Sequence, residues 1–125
     1  MATRINATFE SGLPPDDDHP YRSGAWRPQY QEFDAWNMES VGDLPDDLNG
    51  VYLRNTENPL FEPIKRYHPF DGDAMLHSIS FNNGEVQYSN RFVRTDAFLA
   101  EQDTKTSLWA GITEHPSTTS ADHGW

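Results

Sequence analysis

The sequence of 125 residues contains no cysteine, which excludes a disulfide framework and thiolate chemistry. It also has no apolar run approaching the roughly 20 residues of a membrane-spanning helix. Its first twelve residues, Met1 to Gly12, lack the apolar core of a secretory signal. These absences predict a cytoplasmic protein that is soluble or at most peripheral to a membrane.

Basic residues are scarce. Nine Lys and Arg face twenty Asp and Glu, which gives a net charge of −11. Binding to nucleic acid requires clustered Lys and Arg, so nucleic acid is not an expected partner. The same charge disfavours simple electrostatic attachment to anionic lipid. Any membrane contact would therefore be peripheral.

Aliphatic residues are also few, and hydrophobic residues make up only 35% of the chain. That share is below the roughly 45–50% of an ordinary globular domain, so the core is small. Yet 13% of the residues are aromatic, whereas disordered chains are poor in aromatics. The combination favours a β-structure, or part of a larger fold whose remaining core lies elsewhere.

The first forty residues are predicted to form an extended arm, and residues 41–125 a separate part of the fold. Pro14-Pro15 followed by three Asp residues interrupts any helical period, and Pro20 and Pro28 bracket an aromatic segment. Aromatic side chains in such an arm usually anchor it to a surface.

The clearest predicted element is a β-hairpin. Met75–Phe81 and Glu85–Thr95 both alternate, and Asn82-Asn83-Gly84 lies between them. An Asn-Gly pair supplies the positive φ angles of a tight hairpin turn. Gly50–Asn55 predicts a further short strand, and Asn58-Pro59 predicts a turn after it.

The end of the chain is less regular. Residues 96–106 predict one short helix, and residues 107–125 predict irregular structure. A polar cluster lies in that last segment, formed by Glu114, His115, Asp122 and His123. Because the segment is irregular and close to the chain end, exposed loop residues are the favoured interpretation.

The densest polar cluster lies between Tyr67 and His77 and contains His68, Asp71 and Asp73. Imidazole and carboxylate groups suit iron, zinc or manganese, so a small metalloprotein using His68, Asp71 and His77 is one hypothesis. The spacing of the two histidines matches no standard metal motif. We therefore favour a tight turn capped by Asp side chains, with His77 packed on a strand face.

Three arginines, Arg54, Arg91 and Arg94, lie on predicted strands. They could form a patch that binds carboxylates. The favoured interpretation is structural pairing with the surplus of Asp and Glu.

Four strings of residues stand in order and in register along the chain. They are Leu44-Pro45-Asp46-Asp47-Leu48-Asn49-Gly50-Val51-Tyr52-Leu53-Arg54-Asn55, then Asn58-Pro59, then Tyr67-His68-Pro69-Phe70-Asp71-Gly72-Asp73-Ala74-Met75-Leu76-His77, then Asn90-Arg91-Phe92-Val93-Arg94-Thr95. Together they resemble the start of the carotenoid cleavage oxygenase family, which includes carotenoid-, apocarotenoid- and stilbene-cleaving enzymes, and the resemblance covers roughly residues 40–101. The chain departs from the family at Thr56-Glu57, where Gly-Pro is common, and at Ala74, where Gly is common. These departures leave the subfamily, and hence the substrate, open.

The resemblance implies an all-β fold, a seven-bladed β-propeller of which this chain is an incomplete N-terminal fragment holding the arm and the first blade. It implies an Fe(II) ion bound by four histidines from later blades. It also implies cleavage of a carbon–carbon double bond of an apolar small molecule with O₂. No ligand position matches His19, His68, His77, His115 or His123, so we assign no catalytic, cofactor or metal residue and expect the fragment alone to be inactive.

Two other classes of function stay open at this point. One is a non-catalytic β interaction module in which the aromatic arm docks a partner. The other is the small independent metalloprotein. In the fragment hypothesis, Tyr67, His68, Asp71, Asp73 and His77 are structural and fix the turn between blade strands.

Overall fold

The computed structural model describes residues 1–120. Within them the chain forms five β-strands, one α-helix and two short 3₁₀ turns. The strands are β1 (Ala2–Thr8), β2 (Gln31–Trp36), β3 (Gly50–Asn58), β4 (Asp73–Asn82) and β5 (Glu85–Phe92); the helix is α1 (Asp96–Thr104), and the 3₁₀ turns are Gly24–Trp26 and Pro116–Thr118.

The strands form one five-stranded sheet in the order β1-β2-β5-β4-β3. The pairings of β1 with β2, β2 with β5, and β4 with β5 are antiparallel. The β4–β5 hairpin turns at Asn83 and Gly84, which both have positive φ. Its register places Met75 opposite Phe92 and His77 opposite Asn90. The predicted hairpin and its shared faces are therefore confirmed.

Two strands lie where the sequence predicted only an extended arm. The prediction rested on the proline-rich stretch between residues 14 and 28, whereas residues 2–8 and 31–36 on either side of it contain neither Pro nor Gly. Those segments pair as β1 and β2, with an irregularity between Ile5 and Ala7. In β2 the buried residues are Glu32 and Ala35, so its sequence lacks the alternation that identifies a strand.

Two strand ends differ from prediction. β3 runs to Asn58 rather than Asn55, and stops before Pro59, which has no N–H to donate to a sheet. β5 ends at Phe92 rather than Thr95, because Thr95 caps α1 by accepting a hydrogen bond from the Phe98 N–H at 3.0 Å. The helix itself is confirmed, and it ends at Lys105 in the left-handed conformation.

The chain divides into two compact units that alternate along the sequence. The first, which we call the sheet unit, comprises Met1–Thr8, Gln31–Thr56 and Met75–Phe92. Its buried residues are Ala35, Met75 and Phe92 together with the polar Glu32 and Asn90.

The second unit, which we call the loop unit, comprises Phe9–Tyr30, Glu57–Ala74 and the described residues from Val93 onward. It contains α1 and buries Leu13, Leu60, Phe61, Phe98 and Leu108, with the polar Arg22 and Asn58. No helix in the described residues is long and apolar enough to cross a membrane.

Candidate functional site

The Asp71-Gly72-Asp73 segment of the loop unit forms a tight turn. The Asp71 carboxylate accepts hydrogen bonds from the His68 N–H at 3.0 Å and the Ile112 N–H at 2.8 Å. Gly72 has a φ of 118°, and a Cβ there would lie 2.9 Å from the Pro59 nitrogen. Only glycine fits this position without strain. The structure therefore matches the prediction of a turn capped by an Asp side chain.

A second carboxylate holds the adjacent loop. Glu114 accepts hydrogen bonds from the backbone N–H groups of Lys65 and Arg66, and its other oxygen accepts one from Gly111. Burial raises the pKa of Glu114, but these hydrogen bonds outweigh it and lower the pKa below the ordinary value. A Cβ at Gly111 would overlap the Asp71 carboxylate, so the loop that Glu114 holds lies directly against Asp71.

Asp71 and Glu114 border a cavity of about 270 Å³ in the loop unit. Four aromatic side chains line it, Phe61, Tyr67, Phe70 and Trp109. Burial, followed by the negative charge of Asp71, raises the pKa of Tyr67 to about 12, so this phenol is neutral at physiological pH.

Two further carboxyl groups line the same cavity, Asp73 at the start of β4 and Glu101 in α1. Burial, followed by the charge of Glu101, raises the pKa of Asp73 to about 7. Burial also raises the pKa of Glu101, although its carboxylate accepts the Leu108 N–H at 2.9 Å. At Glu101 burial thus outweighs hydrogen bonding, whereas at Glu114 hydrogen bonding outweighs burial.

In the sheet unit, His77 lies within a hydrogen-bonded chain of side chains. Its Nε2 is 2.8 Å from the Thr56 Oγ1, and its Nδ1 is 2.7 Å from the Tyr88 hydroxyl. Thr56 donates its own proton to the Met75 carbonyl, so it accepts from Nε2–H, and Nδ1 accepts from Tyr88. Burial, and then Arg54, lower the pKa of His77, which keeps the ring neutral.

The predicted pairing of arginines with acids is confirmed for Arg91, whose guanidinium lies 2.8 Å from the Asp34 carboxylate. Arg94 lies over two aromatic rings, 5.2 Å from the centroid of Phe9 and 5.6 Å from that of Phe98. The buried Arg22 pairs with two carboxylates, those of Asp17 and Glu62, at 2.8 Å each.

Two buried asparagines, whose structural role the sequence reasoning did not identify, stand in for peptide groups. Asn58 accepts from the Gln29 N–H at 2.7 Å and donates to the Gln29 carbonyl at 2.8 Å. Asn90 accepts from the Phe33 N–H at 2.7 Å and donates to the Gln31 carbonyl at 3.0 Å. Polar residues at the end of one strand and on an otherwise apolar strand face were the only signal.

The histidines do not converge on a metal site. Among residues 1–120, no three His, Asp or Glu side chains form a group that could hold a metal ion. The Nδ1 atoms of His19, His68 and His115 accept local backbone N–H groups. These residues therefore do not fit an iron centre. Asp122 and His123 of the C-terminal cluster lie outside the described residues.

Comparisons with known proteins show which family the chain resembles. The sequence profile described as RPE65, retinal pigment epithelial membrane protein, matches residues 26–124. Carotenoid 9,10(9′,10′)-cleavage dioxygenase 1 of Pisum sativum is 39% identical over 99 residues, covering 78% of this chain and 18% of that protein. Isoeugenol monooxygenase of Pseudomonas nitroreducens is 35% identical over 99 residues, covering 79% and 20%.

The fold is similar as well. The crystal structure of lignostilbene dioxygenase from Pseudomonas brassicacearum matches with a TM-score of 0.76 and 28% identity, covering 87% of this chain and 23% of that one. The chain spans about a fifth of the length of the curated relatives that it matches. This chain belongs to the RPE65 and carotenoid cleavage oxygenase family.

Proposed function

We propose that this chain is the N-terminal part of a non-haem Fe(II) dioxygenase that cleaves a carbon–carbon double bond of a carotenoid, apocarotenoid or stilbene-like substrate with O₂. The observation that carries the proposal is the family match over residues 26–124. The similarity of the fold to lignostilbene dioxygenase, at a TM-score of 0.76, supports it. Imidazole-bound Fe(II) with open coordination positions suits O₂ activation.

In this proposal the chain supplies framework rather than iron ligands. The conspicuous polar residues hold backbone in place: Asp71 and Glu114 fix loops, and Asn58 and Asn90 replace peptide groups. The five-stranded sheet would be one blade of a β-propeller. Its edge strand β3 supports that assignment, because Val51, Tyr52 and Leu53 are 61%, 57% and 64% exposed and could be covered by further strands.

The substrate class is proposed from the relatives. Their names include a carotenoid 9,10-cleavage enzyme, an isoeugenol monooxygenase and a lignostilbene dioxygenase. What these names share is an apolar, unsaturated molecule and oxygen chemistry. A cytoplasmic location and peripheral contact with a membrane, from which such a substrate would be drawn, are part of the same proposal.

The test uses a longer polypeptide in which this chain is joined to its downstream reading frame. The purified protein is loaded with Fe(II) and incubated with a hydroxystilbene or an apocarotenal under ¹⁸O₂, and the products are identified by mass spectrometry. We expect two carbonyl fragments carrying the label from one of the substrates. The matched control is the 125-residue chain treated identically, from which we expect no cleavage.

Failure of the iron-loaded longer protein to cleave either substrate would contradict the dioxygenase proposal and favour the non-catalytic interaction module. Cleavage by the isolated chain would contradict the framework role, because the described residues contain no group that could hold the metal.

A further inference from the structure

The cavity of the loop unit combines aromatic walls with negative charge. Phe61, Tyr67, Phe70 and Trp109 line it, and so do four carboxyl groups. Among the described residues that line it, none is Lys, Arg or His. Aromatic rings attract cations through the negative face of the ring, and carboxylates attract them through their charge. The cavity therefore offers a cation two kinds of favourable contact, and its described wall carries no positive side chain.

One of the four carboxyl groups has no partner in the protein. Asp71, Glu101 and Glu114 each accept at least two backbone N–H groups. Among residues 1–120 the half-buried Asp73 carboxyl group accepts no hydrogen bond and pairs with no positive side chain. Burial, followed by the charge of Glu101, raises its pKa to about 7, as expected of a carboxyl group without a cation beside it. A cation in the cavity would supply the missing partner.

The four aromatic side chains differ in the surface that they leave for a ligand. Arg22 already lies over the Tyr67 ring, 5.3 Å from its centroid, and Phe61 is only 7% exposed. Phe70 is 70% exposed, and Trp109 is partly exposed. Phe70 and Trp109 therefore present the aromatic surface that a ligand entering the cavity from solvent would contact.

The size of the cavity and the groups that line it indicate which kind of cation fits. Metal ions such as Ca²⁺ are held by several converging oxygen ligands, and no group of three His, Asp or Glu side chains among residues 1–120 could hold a metal ion. Aromatic rings instead favour organic ammonium groups. The volume of about 270 Å³ lies just below the roughly 300–1,000 Å³ of ordinary ligand pockets, so the ligand would be small.

We propose that the cavity of the loop unit binds a small organic ammonium ion, with the Asp73 carboxylate as its counter-ion and the rings of Phe70 and Trp109 against its alkyl groups. Asp71, Glu101 and Glu114 keep their backbone hydrogen bonds and add to the negative field of the site. This inference concerns the loop unit alone and does not depend on the proposed function.

The test titrates choline into the ¹⁵N-labelled chain of 125 residues, in about 0.15 M NaCl to screen the net charge of −11. We expect saturable NMR shifts of the Trp109 indole N–H and of the Gly72 and Gly111 amides, which belong to the cavity lining. The matched control ligand is the neutral isostere of choline in which carbon replaces the ammonium nitrogen. It should bind at least about tenfold more weakly. Equal binding of the two compounds, or no saturable shift with choline, would overturn the proposal.

Three variants of the chain identify the groups that hold the ligand. Asp73→Asn keeps the shape of the side chain but removes its charge, and should weaken choline binding by at least about tenfold. Phe70→Leu, at an exposed position, should weaken it by about threefold. Asp103→Asn changes the net charge equally at an exposed position of α1 that does not line the cavity, and should leave choline binding unchanged. Equal choline binding by Asp73→Asn and Asp103→Asn would contradict the proposed counter-ion.

Discussion

The Asn90 side chain offers the sharpest test of how this sheet is held together. Asn90 is 1% exposed and lies on β5, opposite the backbone of β2. Its side-chain amide accepts the Phe33 N–H and donates to the Gln31 carbonyl, so it forms the two hydrogen bonds that a peptide group would form. Replacing it with alanine removes both hydrogen bonds and leaves a small void beside Met75.

The expected cost follows from these contacts. Depriving a buried backbone group of its partner costs about 1–3 kcal/mol, and Asn90→Ala affects a donor and an acceptor. Phe33 and Gln31 are only partly buried, so water can reach them and the cost should lie toward the lower end. We therefore expect Asn90→Ala to lower the free energy of unfolding by about 2–4 kcal/mol.

Urea unfolding of the chain, followed by circular dichroism, measures this loss. The control is Asn55→Ala, which removes the same side chain from an exposed position on β3 and should change the free energy of unfolding by less than about 0.5 kcal/mol. Equal, small effects of the two substitutions would refute the idea that Asn90 replaces a peptide group in the sheet.

Three more predictions concern the sheet unit and the loop unit. Tyr88→Phe removes the hydroxyl that donates to His77 and should cost about 1–2 kcal/mol in chemical denaturation, whereas Tyr52→Phe, at an exposed position, should cost almost nothing. Because folding lowers the pKa of His77, its contribution to stability is complete above the ordinary histidine pKa of 6.5 and is lost as pH falls below it, a decline that His77→Phe should flatten. Gly111→Ala should destabilise the loop unit by about 1–3 kcal/mol because its Cβ would overlap the Asp71 carboxylate, and by more than Gly12→Ala, whose Cβ would lie 3.0 Å from the Phe61 ring and so overlap less. Equal decreases in melting temperature for the two glycine variants would contradict the close packing of Gly111 against the Asp71 carboxylate.

The elements that the sequence predicts well are those coded locally. The β4–β5 hairpin rests on alternating residues and an Asn-Gly turn, and its register agrees residue by residue with the predicted faces. The Asp71 turn rests on local side-chain capping, which Asp71 provides to His68. In both cases the decisive interactions join residues that are close along the chain.

The parts that were missed depend on partners far along the chain. β1 and β2 pair across the proline-rich stretch, and β2 meets β5 more than fifty residues later. Glu32 is buried because its carboxylate accepts the Phe92 N–H at 2.8 Å, which no local pattern of β2 reveals. Likewise, Glu114 accepts the backbone N–H groups of Lys65 and Arg66, which lie 49 and 48 residues earlier in the chain.

We infer that the described part of this chain provides framework and no iron ligands. Anaerobic titration of the purified 125-residue chain with Fe(II), followed by calorimetry, tests it directly. We predict no stoichiometric binding, because no three candidate ligands converge among residues 1–120. His77 uses both ring nitrogens in hydrogen bonds with Thr56 and Tyr88, and the Nδ1 atoms of the other described histidines accept nearby backbone N–H groups. Binding of one iron per chain that is lost in His68→Ala or His77→Ala would contradict the claim.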